Sequence, residues 1–286
     1  IRGVEIERGE IMPDRYLAMN PMAQDEEVPG IPTKEPTFGL SAWWVTEDVK
    51  EELEFKGFTV VDASTVLITH LTTFIKKYAH ELLGRQETKE LIETVKETNP
   101  AVVEELIPDL MSYGQVQKVL QNLLKEQVPI RDLVTILEVL ADSAPVTTDI
   151  DQLTALVRQA LYRTISNLYS RNGRIKVIML DPKVEEVIEG SLRRTQEGAY
   201  PALDQETAEK LVQSISSQVS NAVNMGEHPV ILCSPKVRLP FRSVLFRRQL
   251  WFRTVNWLQI WRLKHWGRWL WNEDQKVPCK KHARSL

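Results

Sequence analysis

A strand, a tight turn and a long amphipathic helix follow one another without a break in residues 57–86, and this stretch limits the possible folds most. The β-branched run that ends at Val61 leads into Asp-Ala-Ser-Thr, where Ser64 or Thr65 is well placed to cap a helix. Apolar residues then recur at steps of four, four, three and four: Leu67, Leu71, Phe74, Tyr78 and Leu82. Such residues share one helical face, so we expect a strand, a turn and a buried helix.

The composition is that of an ordinary globular chain. It has 286 residues, 43% hydrophobic and 26% charged, which indicates two to four compact units. No apolar stretch approaches the ~18–20 residues that cross a bilayer, and a signal-peptide pattern is absent. The chain starts with Ile1 rather than Met, so we expect a fragment of a longer protein. Cys233 and Cys279 have neither disulfide nor metal-ligand spacing, which indicates unpaired cysteines of a reducing compartment.

Periodicity predicts an α+β fold in several subdomains: a small mixed α/β part, a central all-helical part and a C-terminal α/β part. In residues 1–62 strands are predicted, and period-two alternation carries the first two of them. Residues 47–56 predict a short helix, and prolines with Gly30 predict an irregular connection over residues 21–37. The predicted strands are Val4–Arg8, Arg15–Met19, Ser41–Val45 and Phe58–Val61. About a hundred residues of helical pattern follow from residue 64, with Thr148 or Asp149 as one cap.

The C-terminal α/β part has the pattern of a β-α-α-β unit, which places two neighbouring strands under helices. Its predicted elements are a strand over Arg174–Leu180, helices over Val184–Arg194 and Asp204–Asn224, and a strand over Pro229–Cys233.

Charge divides the chain near residue 240. From Lys236 onward there are 13 Lys and Arg residues against two acidic residues, whereas the preceding residues hold 23 basic and 37 acidic ones.

Residues 115–144 could be taken for a helix-turn-helix. However, residues 83–162 carry 7 basic and 13 acidic side chains, which would repel a phosphate backbone. We expect a helical packing domain and no nucleic-acid partner.

The patterns of catalysis are missing from the sequence. His70 and His80 are not at zinc-binding spacing, and no glycine-rich phosphate loop or nucleophile elbow occurs. Adjacent acidic pairs such as Glu104-Glu105 are typical of solvated helix faces. We therefore expect no catalytic residues, no metal ligands and no cofactor, and a protein that is not an enzyme.

Surface for protein partners is the remaining possibility. Residues 35–39, Glu-Pro-Thr-Phe-Gly, place Phe38 after a stiff proline and beside a carboxylate. Phe38 fits two interpretations: a plug of the core, or an exposed aromatic anchor in a recognition surface.

Long stretches of the sequence resemble one family. They are GFTVVDASTVLITHL, HELLGRQE, NPAVVEELIP, QKVLQNLLKEQVPIRDLVTILEVLAD and LTALVRQAL. Over residues 1–242 the chain is similar to the FHIPEP family of type III export-gate proteins, and more to its flagellar FlhA branch than to the injectisome branch. Members have about eight transmembrane helices and a four-part cytoplasmic region that assembles into a nonameric ring.

The resemblance implies a division into subdomains. Residues 1–13 and 63–82 would belong to the first subdomain and residues 14–62 to a second one inserted in it. Residues 83–162 would form the helical third subdomain and residues 163–245 the α/β fourth. Residues 246–286 would be an atypical tail rich in Trp and Arg.

The resemblance also implies a function, that of a docking platform for the flagellar type III export apparatus. The family's chaperone-binding dimple falls on Glu35, Phe38 and Thr69, with Glu35 where some members have Asp. Implied partners are export chaperones with bound substrates, other export-apparatus proteins and further copies in a ring. The implied location is the cytoplasmic side of the bacterial inner membrane. Alternatives are an injectisome homologue and a soluble helical interaction regulator.

The tail departs from the family pattern. Six of the eight tryptophans lie between residues 251 and 271, and no acidic residue occurs from Lys236 to Asn272. Two explanations fit, a reading frame shifted near residue 245 or a cationic, Trp-rich segment that binds anionic membrane. The tryptophans keep neither strand nor helix periodicity. We therefore expect residues 246–286 to add no strand to the fourth subdomain, to be disordered or irregularly packed, and to leave that subdomain the least stable.

Overall fold

The computed structural model describes residues 1–20, 28–37, 39–195, 198–225, 229–247 and 256–259. They form two compact units, an N-terminal unit of residues 1–97 and 111–130 and a C-terminal unit of residues 98–110 and 131 onward. Helices alternate with three small sheets, which confirms the predicted α+β class. The finer subdomain boundaries stay a prediction.

Nine strands and eleven helices, numbered in chain order, make up the described part of the chain. The strands are β1 (Tyr16–Met19), β2 (Ile31–Lys34), β3 (Ser41–Val45), β4 (Thr59–Asp62), β5 (Ile178–Met179), β6 (Leu192–Thr195), β7 (Gly198–Pro201), β8 (Val230–Cys233) and β9 (Asn256–Gln259). The helices are α1 (Lys50–Phe55), α2 (Ala63–Leu82), α3 (Arg85–Thr98), α4 (Pro100–Leu106), α5 (Tyr113–Lys125), α6 (Leu133–Ser143), α7 (Ile150–Ala160), α8 (Tyr162–Tyr169), α9 (Pro182–Gly190), α10 (Gln205–Asn224) and α11 (Pro235–Arg247). A 3-10 turn, Glu47–Val49, precedes α1.

The N-terminal unit is built on an antiparallel sheet in the order β2-β3-β1-β4. Alternate residues of β1 pack into two different hydrophobic clusters, because successive side chains of a strand point to opposite faces of the sheet. Leu17 packs in a cluster with Trp44 and Val66, whereas Ala18 packs in a cluster with Val45 and Phe58. The sheet is therefore covered on both faces.

Strand β2 lies in the stretch for which the sequence predicts an irregular connection, so the prediction is wrong for Ile31–Lys34. Pro32 lacks an N–H group, which argues against a central strand. The strand forms because β2 is at the edge of the sheet, where one side of its backbone needs no partner strand. The extended segment Val4–Arg8, predicted as a strand, is not part of a sheet.

Helix α2 is capped by a residue that precedes the two predicted caps. Its N-cap is Asp62, whose carboxylate accepts hydrogen bonds from the Thr65 N–H at 2.8 Å and the Thr65 hydroxyl at 2.7 Å. The prediction of Ser64 or Thr65 as cap is therefore wrong. A carboxylate accepts from two donors at once, and Asp is among the best N-caps.

The apolar stripe of α2 is the largest departure from expectation. Of the twenty residues of this helix, all described, Ala63 and Val66 are the buried ones. Leu67, Leu71 and Leu82 are 54%, 51% and 45% exposed. The prediction of a buried face is wrong for these three leucines, whereas Phe74 and Tyr78 of the same stripe are partly buried. Periodicity reports that a helix face is apolar, not that described residues of the chain cover it.

Helix α5 packs on α2 and is tied to its C-terminal end. Ser112 and Gln115 form a reciprocal capping box at the start of α5. The side-chain amides of Gln117 and Gln121 donate to the Leu83 carbonyl at 3.1 and 2.9 Å. These bonds satisfy a carbonyl that the end of α2 leaves without an intrahelical partner.

The C-terminal unit contains the parallel sheet β5-β8-β9 and the antiparallel hairpin β6-β7. Strands β5 and β8 are neighbours, joined through α9 and α10, as the β-α-α-β pattern predicts. Two predicted bounds are wrong. The strand expected over Arg174–Leu180 is reduced to β5, and the helix expected to reach Arg194 ends at Gly190, because Leu192–Thr195 pair with Gly198–Pro201 instead.

Strand β8 is buried throughout, and a side chain of α9 binds the backbone between this strand and α11. The Glu185 carboxylate of α9 accepts from the Ser234 N–H at 2.7 Å, directly before α11. Cys233 is fully buried and free, and this burial raises the pKa of its thiol to about 12. Cys233 is thus an unreactive structural cysteine. Cys279 lies outside the described residues.

Part of the tail joins the sheet. Strand β9 pairs in parallel with β8, with Ile231 opposite Trp257 and Cys233 opposite Gln259. The prediction that the tail supplies no strand is therefore wrong for Asn256–Gln259. The prediction rested on the periodicity of the tryptophans, but a β-ladder is formed by backbone N–H and C=O groups whatever the side chains are. The edge of β8 offers such groups. The other predictions for residues 248–255 and 260–286 fall outside the described residues.

Within the described ranges, none of the helices combines the length and apolar character needed to span a bilayer.

Candidate functional site

The loop that leads from β2 to β3 is held by hydrogen bonds centred on Glu35. The Glu35 N–H donates to the Leu40 carbonyl at 2.8 Å, and the Gly39 N–H donates to the Glu35 carbonyl at 2.9 Å. The Glu35 carboxylate accepts from the Thr37 N–H at 2.8 Å. The loop is therefore closed on itself through both the backbone and the side chain of Glu35.

Glu35 is buried inside this loop, with 4% of its surface exposed. Its carboxylate thus binds the backbone of the loop. It is not an exposed charged group that a partner could contact directly. Gly39 has φ of +71°, a conformation that glycine adopts at little cost, and this lets the chain turn back toward β3. Phe38, the predicted anchor, lies outside the described residues, between the described Thr37 and Gly39.

Thr69, the third predicted residue, lies on α2 and is exposed. Its neighbours in sequence are Ile68, which is 63% exposed, and the partly buried His70. The helix therefore exposes a hydroxyl at Thr69 and an aliphatic side chain at Ile68, which point about 100° apart around the helix axis.

The structure brings the loop and the helix to the same place through Gly9. A methyl group built on Gly9 would lie 3.3 Å from Cβ of Pro36, which follows Glu35, and 3.7 Å from Nε2 of His70, which follows Thr69. Glu35 and Thr69 thus belong to two elements that meet at one residue of the N-terminal segment. The sequence gives no signal for Gly9, because a single glycine in an extended segment matches no motif.

The chemistry of this surface suits binding. Its described residues offer apolar side chains, a hydroxyl and backbone groups of a fixed loop. Among the residues the structure describes, no group of three or more His, Cys, Asp and Glu side chains is arranged to hold a metal ion.

The sequence is similar to flagellar proteins. It is 44% identical over 248 residues to the flagellar biosynthesis protein FlhA of Bacillus subtilis, covering 86% of this chain and 37% of that protein. It is 40% identical over 251 residues to FlhA of Salmonella typhimurium, covering 87% of this chain and 35% of that protein. The chain thus spans little more than a third of the length of these relatives.

The fold is similar to solved structures as well. The Chlamydia pneumoniae CdsV protein matches with a TM-score of 0.75 and 30% identity, over 89% of this chain and 73% of that chain. The same protein in a complex with CdsO matches with a TM-score of 0.67 and 29% identity, over 87% and 70% of the two chains. The nonameric SctV-C of EPEC has a TM-score of 0.69, over 88% and 75%, and its 23% identity shows the fold alone.

The model of the FHIPEP family matches residues 1–258, which is most of the sequence and includes the greater part of strand β9. The chain belongs to the FHIPEP family.

Proposed function

We propose that this chain is a docking platform of the bacterial flagellar type III export gate and that it binds export chaperones carrying their substrates. The observation that carries the proposal is the 44% identity to flagellar FlhA over 248 residues. An injectisome role is the weaker alternative, since the EscV cytosolic domain from a type III secretion system is only 23% identical. The other alternative is a soluble helical regulator. It would require that the gene encode no membrane-spanning segments upstream of Ile1.

The docking surface in this proposal consists of the loop of residues 35–40 and the exposed part of α2 around Thr69. Phe38 is the aromatic anchor that a chaperone buries, since aromatic side chains dominate the binding energy of protein interfaces. The hydrogen bonds of Glu35 support this role for the loop. A loop fixed before binding loses little conformational entropy when the partner arrives.

The platform works without catalysis in this proposal, as an assembly of several copies at the cytoplasmic side of the inner membrane. Support for assembly comes from relatives of the same fold, a nonameric SctV-C and a CdsV–CdsO complex. The acidic helical residues 83–162 would act as rigid spacer and ring contact, with no affinity for nucleic acid. Sedimentation velocity of this chain, with and without the residues that precede it in the gene, tests the self-association.

The first experiment measures binding of a purified flagellar chaperone–substrate complex to the chain by calorimetry. Phe38→Ala should weaken binding by about 2 kcal/mol or more, roughly thirtyfold, because it removes the buried anchor. Phe55→Ala is the matched control, since Phe55 belongs to the same unit and is 95% exposed. It should leave the affinity unchanged.

Thermal unfolding of both variants separates the two interpretations of Phe38. A docking anchor predicts melting temperatures close to that of the parent chain. If Phe38→Ala unfolds the chain while the remaining folded protein binds the complex as before, Phe38 is a core plug and the proposed surface is wrong.

A further inference from the structure

The N-terminal residues 2–12 run as a strap along α2, antiparallel to the helix. The Arg2 guanidinium donates to the Glu81 carbonyl at 3.4 Å, near the end of α2, and Glu7 pairs with Lys77 at 2.8 Å. Gly9 faces His70, and Met12 packs against the cluster that contains Val66. Contacts at successively earlier positions of the helix therefore fix the course of the strap.

Gly9 is a point of close approach between the strap and the loop of residues 35–40. An added Cβ would be 3.3 Å from Cβ of Pro36, closer than most carbon atoms pack, and 3.6 Å from Cγ of Pro36, which is ordinary contact. On the helix side it would be 3.7 Å from His70, which is ordinary contact. The φ angle of Gly9 is not in the left-handed region, so the need for glycine at this position is steric.

Two features limit how a larger side chain at position 9 could be accommodated: the rigidity of Pro36 and the attachment of the strap to α2. Pro36 is a rigid ring that cannot rotate away, and the bonds of Glu35 close the loop around it. The strap is tied to α2 by the pair of Glu7 and Lys77, whose side chains are 28% and 27% exposed. A larger side chain at position 9 would thus displace the loop relative to α2.

We propose that Gly9 is a positioning residue of the docking surface, and that the strap sets the separation between the loop of residues 35–40 and the Thr69 region of α2. This inference rests on the proposed function, because it assigns the separation to recognition of the chaperone–substrate complex. Gly9 itself does not contact the partner. It acts through Pro36.

The test compares Gly9→Ala and Gly9→Val with Gly190→Ala in the 286-residue chain. Gly190 is the matched control, because its added Cβ meets nothing within 4 Å and its backbone is unstrained. We expect Gly9→Val to weaken binding of the chaperone–substrate complex about tenfold, as for loss of a substantial interface contact, and Gly9→Ala to weaken it less. Gly190→Ala should bind like the parent.

A double-mutant cycle with Pro36→Gly distinguishes positioning from a general loss of structure. Pro36→Gly removes the carbon atoms that Gly9→Val would strike, so the double variant should bind better than the sum of the two single effects predicts. Amide exchange gives a second measure. Gly9→Val should speed exchange at Thr37 and Gly39, whose N–H groups bond to Glu35.

Three outcomes decide between these possibilities. Additive effects in the cycle, or Gly9→Val binding like Gly190→Ala while Phe38→Ala binds weakly, would overturn the strap proposal and leave the docking surface intact. Binding that is unaffected by Phe38→Ala, or absent in the parent chain, would overturn both. Coupled effects together with faster exchange at Thr37 and Gly39 would support the strap.

Discussion

Helices α2 and α5 lie against each other in the N-terminal unit and have similar apolar patterns, yet their apolar faces differ in burial. In α5, Val116, Val119, Leu120 and Leu123 are fully buried. In α2, Leu67, Leu71 and Ile75 are 54%, 51% and 46% exposed. The difference shows that a periodic stripe predicts where a helix can be buried, whereas the rest of the molecule decides whether it is.

The two helices also differ in what their exposed surfaces can do. Most of the apolar surface of α5 contributes to stability, since it is removed from water. Exposed aliphatic groups remain on α2, where a partner can bury them. Leu67, Leu71 and Ile75 lie along one face of the helix, about half a turn round from Thr69. Substitutions in α5 should therefore affect folding, and substitutions in the exposed part of α2 should affect binding.

The largest expected difference between the helices is the cost of losing one leucine. Leu120→Ala in α5 should lower the free energy of unfolding by about 2–5 kcal/mol, because a fully buried side chain leaves a cavity. Leu71→Ala in α2 should change it by no more than about 0.5 kcal/mol, as for other exposed positions. Urea unfolding measures both. Equal costs would mean that the α2 face is covered in solution.

The caps provide a smaller contrast at the starts of the two helices. Ser112→Ala should destabilise the chain by about 1 kcal/mol, because Ser112 is the side-chain cap of α5. Ser64→Ala should have an effect within about 0.5 kcal/mol, since Asp62 rather than Ser64 caps α2. The same unfolding measurement checks this pair. A cost at Ser64 equal to that at Ser112 would contradict the assignment of the cap.

The smallest effect concerns the acid dependence of the α2 cap. Hydrogen bonds from the Thr65 hydroxyl and N–H hold the pKa of the Asp62 carboxyl below its ordinary value. The cap therefore stabilises the fold at neutral pH, and this contribution is lost as the pH falls below about 4 through the lowered pKa. The stability difference between the parent and Asp62→Ala should shrink between about pH 7 and about pH 2.5. A constant difference would show that the carboxylate is not the stabilising group.

The sequence predicted the elements whose formation depends on local patterns. Strand β1 follows from alternation, strands β3 and β8 from short apolar runs, and the helices α5 to α7 from helical spacing and from caps such as Asp149. Pairing with distant partners was harder to foresee. Strand β2 contains Pro32 and forms because an edge position was available, and β6 replaced the end of a predicted helix by pairing with β7.

The candidate site came from the family resemblance rather than from the pattern of residues. Glu35 and Thr69 are far apart in the sequence, and neither belongs to a motif with a fixed spacing. Their shared location depends on Gly9 lying between Pro36 and His70, a tertiary arrangement that no local rule contains. The burial of Glu35 was equally outside the reach of the sequence, since glutamate side chains are mostly exposed.

Binding of a chaperone–substrate complex at the loop of residues 35–40 and the Thr69 region of α2 is the central claim. Amide hydrogen exchange of the chain, with and without a saturating amount of that complex, tests the claim directly. We expect slower exchange at Thr37, Gly39 and the residues around Thr69, with α5 unchanged. Protection confined to α5 or to the C-terminal unit, or no protection of the loop at saturation, would contradict it.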